Sequence, residues 1–254
     1  MPSQFLRRTL LTGAAAVALT FSAAALPLSF QWGAGESVKG SGTSAREARD
    51  ASGFEAVRVA GPFQVVLRQQ PAHRVSLEGD GNLLSYVETR VVDGNKGKVL
   101  EVGVKRGYQL KSSQALKVEI DLPTLRAVVL AGSGQAQLGP MKAGVLDLSV
   151  TGSGNVKASQ LQADKLSINV TGSGDVVADG RSAELGVSIT GSGDVQLADF
   201  VADEVKVSIS GSGDAAVQAN RKLKVSIAGS GDVRYRGDAE LTSSIAGAGT
   251  VRKF

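Results

Sequence analysis

Cysteine is absent from this chain of 254 residues, and histidine occurs once, at His73. Without cysteine the chain has no disulfide framework and no thiol chemistry. A single histidine leaves no partner for a nucleophilic relay or a conventional zinc site, and we expect it to be solvated in its polar turn. These absences predict a protein that is not an enzyme, with no catalytic residues, no bound metal and no cofactor.

Aromatic residues are also scarce, at 4% of the chain, and the net charge is only +4. Residues 1–25 carry just two charged side chains, Arg7 and Arg8, so removing that segment leaves a net charge of +2. The other basic residues are scattered and form no stripe interleaved with aromatics, which is the pattern that nucleic-acid recognition favours. We therefore expect no nucleic-acid partner.

Glycine, in contrast, is abundant, with 32 residues, and many of them lie in a repeated triplet. The triplet Gly-Ser-Gly recurs at intervals of 18 to 20 residues, and a final variant reads Gly-Ala-Gly. The triplets begin at Gly132, Gly152, Gly172, Gly191, Gly211, Gly229 and Gly247. Self-similarity at such a period is typical of a solenoid, in which each repeat is one coil that needs its neighbours to bury its apolar face.

The residues before each triplet alternate between apolar and small polar side chains. Two positions before the first glycine lie Leu130, Val150, Val170, Ile189, Ile209, Ile227 and Ile245. The intervening polar positions hold Ser149, Asn169, Ser188, Ser208, Ser226 and Ser244. Alternation with β-branched residues predicts a half-buried strand, and the glycine-rich run after it predicts a tight corner.

Together these features predict an all-β fold, a single elongated parallel β-helix or β-solenoid with coils of about 18–20 residues. Right-handed winding is the default expectation. Residues 126–254 would form the repeat coils within a domain spanning 53–254. Residues 53–125 are less regular, and we expect them to form wider coils that also cover the open end of the stack. Six strands are expected there: Phe54–Val59, Phe63–Arg68, Arg74–Glu78, Tyr86–Val92, Val99–Lys105 and Leu116–Asp121.

The N-terminus has the pattern of an export signal. Arg7-Arg8 precedes an apolar, alanine-rich run over about residues 10–28, and Ala23-Ala24-Ala25 offers a cleavage site. We therefore expect a signal peptide at residues 1–25, followed by a flexible linker at 26–52. The arginine pair also fits a twin-arginine signal loosely, so the Sec and twin-arginine routes both stay open.

Export would place the protein in the periplasm or at the cell surface of a Gram-negative bacterium. The alternative is that the segment from Leu10 to Trp32 is retained as a membrane anchor, since it is long enough to span a bilayer. We favour cleavage because alanine-rich segments span poorly. Cleavage would leave no stable membrane insertion.

The residue after each triplet is acidic in four successive repeats, at Asp175, Asp194, Asp214 and Asp232. In-register stacking would place these carboxylates in one column about 5 Å apart, where like charges repel. One interpretation is a cation ladder, since Ca²⁺ prefers several oxygen ligands. The other is that each carboxylate accepts turn amides at its own corner and stays solvated.

Hydroxyl side chains precede four of the triplets, at Thr151, Thr171, Thr190 and Ser210. Such columns could hydrogen-bond a glycan, or the stacked hydroxyls could satisfy one another. The repeat corners are short and uniform, so we expect no pocket among them. Only the half from Phe54 to Leu125 has room for one.

Several motifs in both halves resemble the family described as "putative auto-transporter adhesin, head GIN domain". The resemblance extends from about Phe54 to Val251 and includes the triplet ladder. The other matching segments are Phe54-Glu55-Ala56-Val57-Arg58-Val59, Val65-Val66-Leu67-Arg68-Gln69, Asn82-Leu83-Leu84 and Val118-Glu119-Ile120-Asp121-Leu122-Pro123-Thr124-Leu125. The resemblance implies a β-solenoid on an exported bacterial protein, and it supplies no catalytic residues.

The function expected from all of this is a structural or adhesive role in the bacterial envelope, without catalysis. The long repetitive surface would bind an envelope glycan or another protein. Two alternatives remain open: a polysaccharide-active enzyme on the same scaffold, and a protein that self-associates end to end into filaments, because the last coil has a poorly covered edge.

Overall fold

The computed structural model describes residues 35–95 and 97–254. Of these residues 73% are in strands and 2% in helix, which confirms the predicted all-β class. Among the described residues, no helix is long and apolar enough to cross a bilayer. The elements are β1 (Glu36–Lys39), β2 (Ser44–Arg49), β3 (Ala56–Ala60), β4 (Phe63–Gln69), β5 (Arg74–Asp80), α1 (Gly81–Leu84), β6 (Val87–Gly94), β7 (Gly97–Val104), β8 (Tyr108–Lys111), β9 (Leu116–Leu122), β10 (Ala127–Gly132), β11 (Gln135–Leu138), β12 (Met141–Gly152), β13 (Asn155–Gly172), β14 (Val176–Gly191), β15 (Val195–Gly211), β16 (Ala215–Gly229), β17 (Val233–Arg236), β18 (Glu240–Gly247) and β19 (Val251–Lys253).

The repeat half is a stack of parallel coils in register. Strands β10, β12, β13, β14, β15, β16 and β18 pair in that order, and each triplet glycine lies beside its counterpart in the next coil. Gly172, for example, pairs with Gly152 on one side and with Gly191 on the other. The molecule is a β-solenoid of about six turns, as the glycine period predicts.

Each coil has three straight runs, which define three faces of the solenoid. In the coil of β13, residues 165–172 form the first face before the triplet, 155–158 form the second face, and 161–163 form the third. The triplet makes the corner between the first and second faces. A second corner separates the second face from the third, and the pairing register shifts there between several coils.

The core is a set of apolar columns inside the three faces. The coil of β13 buries six apolar side chains, with at most 2% of each exposed: Val156, Ala158, Leu161, Leu166, Ile168 and Val170. Each of these side chains packs between equivalents in the coils on either side, so the burial of one coil depends on the next. This shared burial explains why the alternating pattern is so regular across the repeats.

The N-terminal half is stacked in an order that differs from the chain order. Strand β3 pairs with β10 on one side and β7 on the other, and β4 pairs likewise with β11 and β9. The second coil of the stack therefore contains β3 and β4, which come first in the chain. The terminal coil contains β7 and β9, and the chain then continues into the repeats. The six strands expected in this half are all present.

Antiparallel strands close this end of the stack. Strand β6 pairs antiparallel with β7, β5 pairs antiparallel with β9, and β2 pairs antiparallel with β5. Strands β5 and β6 are thus excursions from the coil pattern, and with β2 they form a cap over this end of the stack. Antiparallel pairing ends the parallel stack because a further coil has no matching edge to continue from.

Part of the segment expected to be a flexible linker is ordered in this cap. Within residues 26–52, the structure places Glu36–Lys39 in β1, parallel to β8, and Ser44–Arg49 in β2. The polar composition of the segment does not reveal this, because edge strands on a cap are exposed and carry few apolar residues. Residues 26–34 lie outside the described part of the chain, as does the signal peptide expected at residues 1–25.

The buried carboxylate of Asp80 fastens the cap to the neighbouring loops. Its oxygens accept the N–H of Gly42 at 2.8 Å, the N–H of Ser113 at 2.9 Å and the hydroxyl of Ser112 at 2.7 Å. These donors, with the Ser112 hydroxyl first, lower the pKa of Asp80 far below its ordinary value. One charged side chain therefore ties the β1–β2 turn and the β8–β9 loop to the end of β5.

Candidate functional site

The two glycines of each triplet are required for different reasons. The first glycine has a positive φ in every repeat coil, for example 122° at Gly191. This backbone conformation is strained for any residue that has a Cβ. Gly193 has no positive φ, but a Cβ there would overlap the carbonyl oxygen of Gly174 and lie 2.8 Å from Val170 Cγ1. The intervening Ser192 is exposed. The glycines are therefore explained by the structure of the corner, without a ligand.

The acidic column forms, and its hydrogen bonds run between coils. Oδ1 of Asp175 accepts the N–H of Asp194 at 3.0 Å, and Oδ1 of Asp194 accepts the N–H of Asp214 at 2.9 Å. Oδ1 of Asp214 accepts the N–H of Asp232 at 2.8 Å. Each carboxylate thus takes the place of a backbone carbonyl in the parallel ladder. We expected bonds within each corner, and the amides instead belong to the next coil.

The last rung of the column is the most strongly bonded. Thr250 donates its hydroxyl and its N–H to Oδ1 of Asp232, each at 2.8 Å, and these bonds lower the pKa of Asp232, with the hydroxyl as the main cause. Across residues 35–95 and 97–254 there is no group of three or more His, Asp or Glu side chains arranged to hold a metal ion. The cation ladder stays an untested prediction, while the hydrogen bonds give these residues a structural role.

The hydroxyl columns lie on the outside of the first face. Thr151, Thr171, Thr190 and Ser210 pair in register across four coils, and all four are exposed. In the described chain, none of their side chains has a hydrogen bond to another residue. The hydroxyls therefore do not satisfy one another, and this flat face presents unengaged donors and acceptors to solvent.

The third face carries a concave region. A cavity of about 540 Å³ lies on it. Its polar lining comes from Lys142, Gln162, Asp164, Arg181, Ser182, Asp203 and Asn220, and we call it the third-face groove. An adjoining, more apolar concavity of about 460 Å³ is lined by residues that include Leu161, Gly180 and Val201. The groove crosses five successive coils, from β12 to β16.

The groove is built by changes in the length of the second corner. Pairing shifts between Ala158 and Leu161 on β13, and again between Leu197 and Val201 on β15. Gln160, at this corner, has φ of 51°, and its N–H is held by Oδ1 of Asp179 at 2.7 Å. Bulges and a positive φ at a non-glycine residue are features that cluster at functional surfaces.

Regular stacking places like side chains along the groove. Lys142, Gln162 and Arg181 occupy the same register position in three successive coils. At the next position lie the small residues Ala143, Ala163 and Ser182, which leave space between the longer side chains. The long polar side chains are therefore about 4.8 Å apart along the axis.

Hydrogen bonds orient two pairs of polar side chains in the groove. Arg181 Nη2 donates to Gln162 Oε1 at 3.2 Å, and Asn220 Nδ2 donates to Asp203 Oδ1 at 3.4 Å. A guanidinium, two amides, two carboxylates, a hydroxyl and an ammonium thus face one concave surface, with both donors and acceptors available. This set can recognise a polar ligand that carries many hydroxyl or amide groups.

The expectation that the repeat half has no pocket is wrong. The two concavities described above both lie among the repeat coils. The glycine corners are uniform, as the sequence indicates, but the second corners are not. The sequence does contain an indication of these irregular corners, because the interval between triplets varies between 18 and 20 residues. A coil that is one or two residues longer or shorter than its neighbour must differ from it in the length of a corner.

The carboxylates of the N-terminal half are held by basic neighbours. Glu119 contacts Lys117 Nζ at 2.6 Å and also lies beside Arg46 and Arg68, and these groups, Lys117 first, lower its pKa. Glu101 is bridged by two arginines in the same way. These ion pairs cross the strands of the cap and first coils, so their role is structural.

His73 is less solvated than expected. It is half-buried, with Nε2 2.9 Å from the carbonyl oxygen of Phe54 and its ring packed edge-on against the Phe54 ring at 4.6 Å. The physical reason is that β4 and β5 bring their connecting turn back against the start of β3. This contact fixes the turn, and the histidine is held by a backbone carbonyl and an aromatic ring.

Comparison with known proteins agrees with the architecture. The family model described as "Putative auto-transporter adhesin, head GIN domain" matches residues 53–239, and the chain belongs to this family. The resemblance seen in the sequence motifs is therefore confirmed. No curated protein matches the chain.

Solved structures share the fold over most of the chain. A "putative lipid binding protein" from Parabacteroides distasonis is 25% identical, with a TM-score of 0.71, over 86% of this chain and 100% of that one. A "putative adhesin" from Parabacteroides merdae is 26% identical, with a TM-score of 0.67, over 86% and 99%. A "putative adhesin" from Bacteroides fragilis is 21% identical with a TM-score of 0.80, over 85% and 100%, and shows the fold alone. The adhesin description of the family indicates a binding role.

Proposed function

We propose that this protein is an exported, non-enzymatic binding module of the bacterial envelope, and that its third-face groove binds a glycan. The observation that carries the proposal is the groove itself, a concave polar surface that runs across successive coils. Its volume of about 540 Å³ falls within the range of small-ligand sites. A chain of similar sugars can repeat the same contacts from one coil to the next.

The chemistry of the lining supports a glycan. Sugar hydroxyls both donate and accept hydrogen bonds, and the lining offers Arg181 and Lys142 as donors, Asp203 as an acceptor, and Gln162 and Asn220 as both. The rigid coils hold these groups in place before a ligand arrives, which reduces the entropic cost of binding. The adhesin names of the family and of the relative from Parabacteroides merdae agree with recognition of an external surface.

Export is part of the same proposal and rests on the N-terminal sequence pattern. Arg7-Arg8, the apolar run and the alanine cleavage site are typical of a signal peptide. Family membership agrees with an exported or cell-surface protein. The protein would act in the periplasm or at the cell surface.

The experiment is a glycan array that includes bacterial envelope polysaccharides, probed with protein purified from the envelope fraction of the expressing cells. We expect selective binding, and we expect Arg181→Ala to weaken it about tenfold or more, the effect of losing one charge-assisted hydrogen bond. Thr171→Ala on the first face is the matched control. Both side chains are exposed, so neither change should disturb folding.

The outcomes separate the two surfaces. Loss of binding with Arg181→Ala alone supports the groove, whereas loss with Thr171→Ala alone would assign the ligand to the hydroxyl columns. An array with no selective binding would contradict the glycan proposal and favour a protein partner.

A second candidate is a polysaccharide-active enzyme, because the groove also gathers Asp164 and Asp203 with Arg181 and Lys142. Paired carboxylates are the usual machinery for cleaving glycosidic bonds. The same experiment addresses it when bound polysaccharide is recovered and sized. Intact polysaccharide supports a binding module, while shortened chains that persist in wild type and disappear with Asp203→Asn would support the enzyme.

A further inference from the structure

The two ends of the solenoid differ in how their strand edges are protected. At the N-terminal end the outermost strands are β2 and β6, and both carry charged side chains of both signs, including Arg46, Glu47, Glu88 and Arg90. Charged, antiparallel edge strands discourage further pairing. This end of the molecule is closed.

The C-terminal end is open in the described chain. Within residues 35–95 and 97–254, β18 pairs only with β16, and β19 pairs only with β17. Leu241 and Ile245 of β18 continue the core columns of Leu223 and Ile227, which are each 1% exposed in the preceding coil. In the last coil the same columns end in solvent, with Leu241 38% and Ile245 42% exposed.

We propose that a second copy of this chain covers this end, with the two β18 strands pairing antiparallel about a twofold axis at Ser243. In that register Leu241 of each copy faces Ile245 of the other, and the two Ser243 residues face each other at the centre. Residues 241, 243 and 245 share the core side of the strand, so the pairing keeps apolar side chains on one face. The strand sequence is self-complementary in this sense.

Charge also favours a second copy over a charged partner. Within β18 the only charged side chain is that of Glu240, at its first residue, so little repulsion opposes the pairing of two such strands. Arg252 and Lys253 of β19 lie at the same end of the stack. They would repel their counterparts weakly, and added salt should therefore tighten the dimer.

The geometry limits assembly to a dimer. Joining the C-terminal ends leaves only the two capped N-terminal ends exposed, so the assembly closes and cannot grow into a filament. β18 has eight residues and is about 27 Å long, so an interface made of one strand pair and the end of one coil is smaller than the standard protein interface of about 1,600 Å². We therefore expect a weak dimer, with Kd on the order of micromolar.

The test is sedimentation velocity of the purified protein from about 0.1 to 100 times that Kd. We expect a shift from monomer to dimer with increasing concentration and no larger species. Ile245→Lys should keep the protein monomeric, because it places two charges in the apolar contact. The control is Val177→Lys, since Val177 is similarly exposed, at 45%, but lies on the second face away from the end. It should dimerise like wild type.

A second variant keeps the test independent of any local unfolding caused by the lysine. The chain has no cysteine, so Ser243→Cys introduces a single thiol at the proposed axis. Antiparallel neighbours have Cα atoms about 4.5–5.5 Å apart, within reach of a disulfide, so mild oxidation should give a covalent dimer. Thr171→Cys, exposed on a middle coil, should give little. A monomer throughout the concentration range, larger polymers, or equal cross-linking of both thiols would overturn the proposal.

Discussion

The corner glycines allow a prediction that isolates steric contact from backbone conformation. In Gly193→Ala a single methyl group is added where φ is not positive, so any loss of stability must come from contact with the preceding coil. The new Cβ would overlap the carbonyl oxygen of Gly174 and lie 2.8 Å from Val170 Cγ1. Neither neighbour can move freely, because one is backbone and the other is a core side chain.

The magnitude follows from the hydrogen bonds at this corner. Relieving the overlap requires the coils to separate locally by about 1 Å, a large fraction of the 4.8 Å spacing between strands. Three bonds span that gap at 2.9–3.0 Å, donated by the N–H groups of Ser192, Asp194 and Val176. At about 1 kcal/mol each, with the strain of the displaced core added, the free energy of unfolding should fall by about 3–5 kcal/mol.

The assay is thermal and denaturant unfolding of purified variants. For a chain of this size the loss corresponds to a fall in Tm of about 10 °C. The matched control is Gly186→Ala in β14 of the same coil, where an added Cβ meets no atom within 4 Å and φ is not positive. This variant should be as stable as wild type or up to about 1 kcal/mol more stable. The reasoning is refuted if Gly193→Ala has the same Tm as wild type, or if both variants lose the same free energy of unfolding.

Two further predictions concern carboxylates that act structurally. Because hydrogen bonds lower the pKa of Asp80 below its ordinary value of 3.8, its contribution to stability is complete above pH 4 and is lost as the pH falls below that value. Below that pH the protection factors of the amides in β1 and β2, which correct for the intrinsic pH dependence of exchange, should fall, and Asp80→Ala should show the lower protection already at pH 7. In the acidic column, Asp214→Ala leaves the N–H of Asp232 without its acceptor and should cost about 1–2 kcal/mol, whereas Asp214→Asn keeps an acceptor oxygen and should cost less. The Tm of the wild-type protein should not change in millimolar Ca²⁺, and a rise in Tm would support cation binding by the acidic column.

The repeat coils could be predicted from the sequence because their determinants are local and periodic. Alternation around Ile189 identifies a strand with one buried face, and Gly191 identifies the corner that follows it. A parallel stack repeats the same environment every coil, so each column of side chains reports the same physical requirement several times. Alternation also identifies six strands of residues 53–125, to within a few residues at their ends, but it does not reveal β8.

The order of the first coils and the nature of the cap required the tertiary structure. Nothing local indicates that β7 stacks beneath β3, because that pairing joins segments some 40 residues apart and depends on which edge is free. The strand in Ser44–Arg49 has no apolar face, so it forms only because β5 offers it an edge to pair with. Pairing of this kind is a property of the assembled sheet.

The candidate site divides in the same way. The sequence by itself determined the solenoid, the column of aspartates and the hydroxyl columns, because each follows from a residue type repeated at one phase of the coil. Only the tertiary structure decided that Lys142, Gln162 and Arg181 line a groove, since their register depends on where each coil absorbs its change in length. It also decided which end of the stack is closed and which is open, because an edge is defined by the strands that do not pair with it.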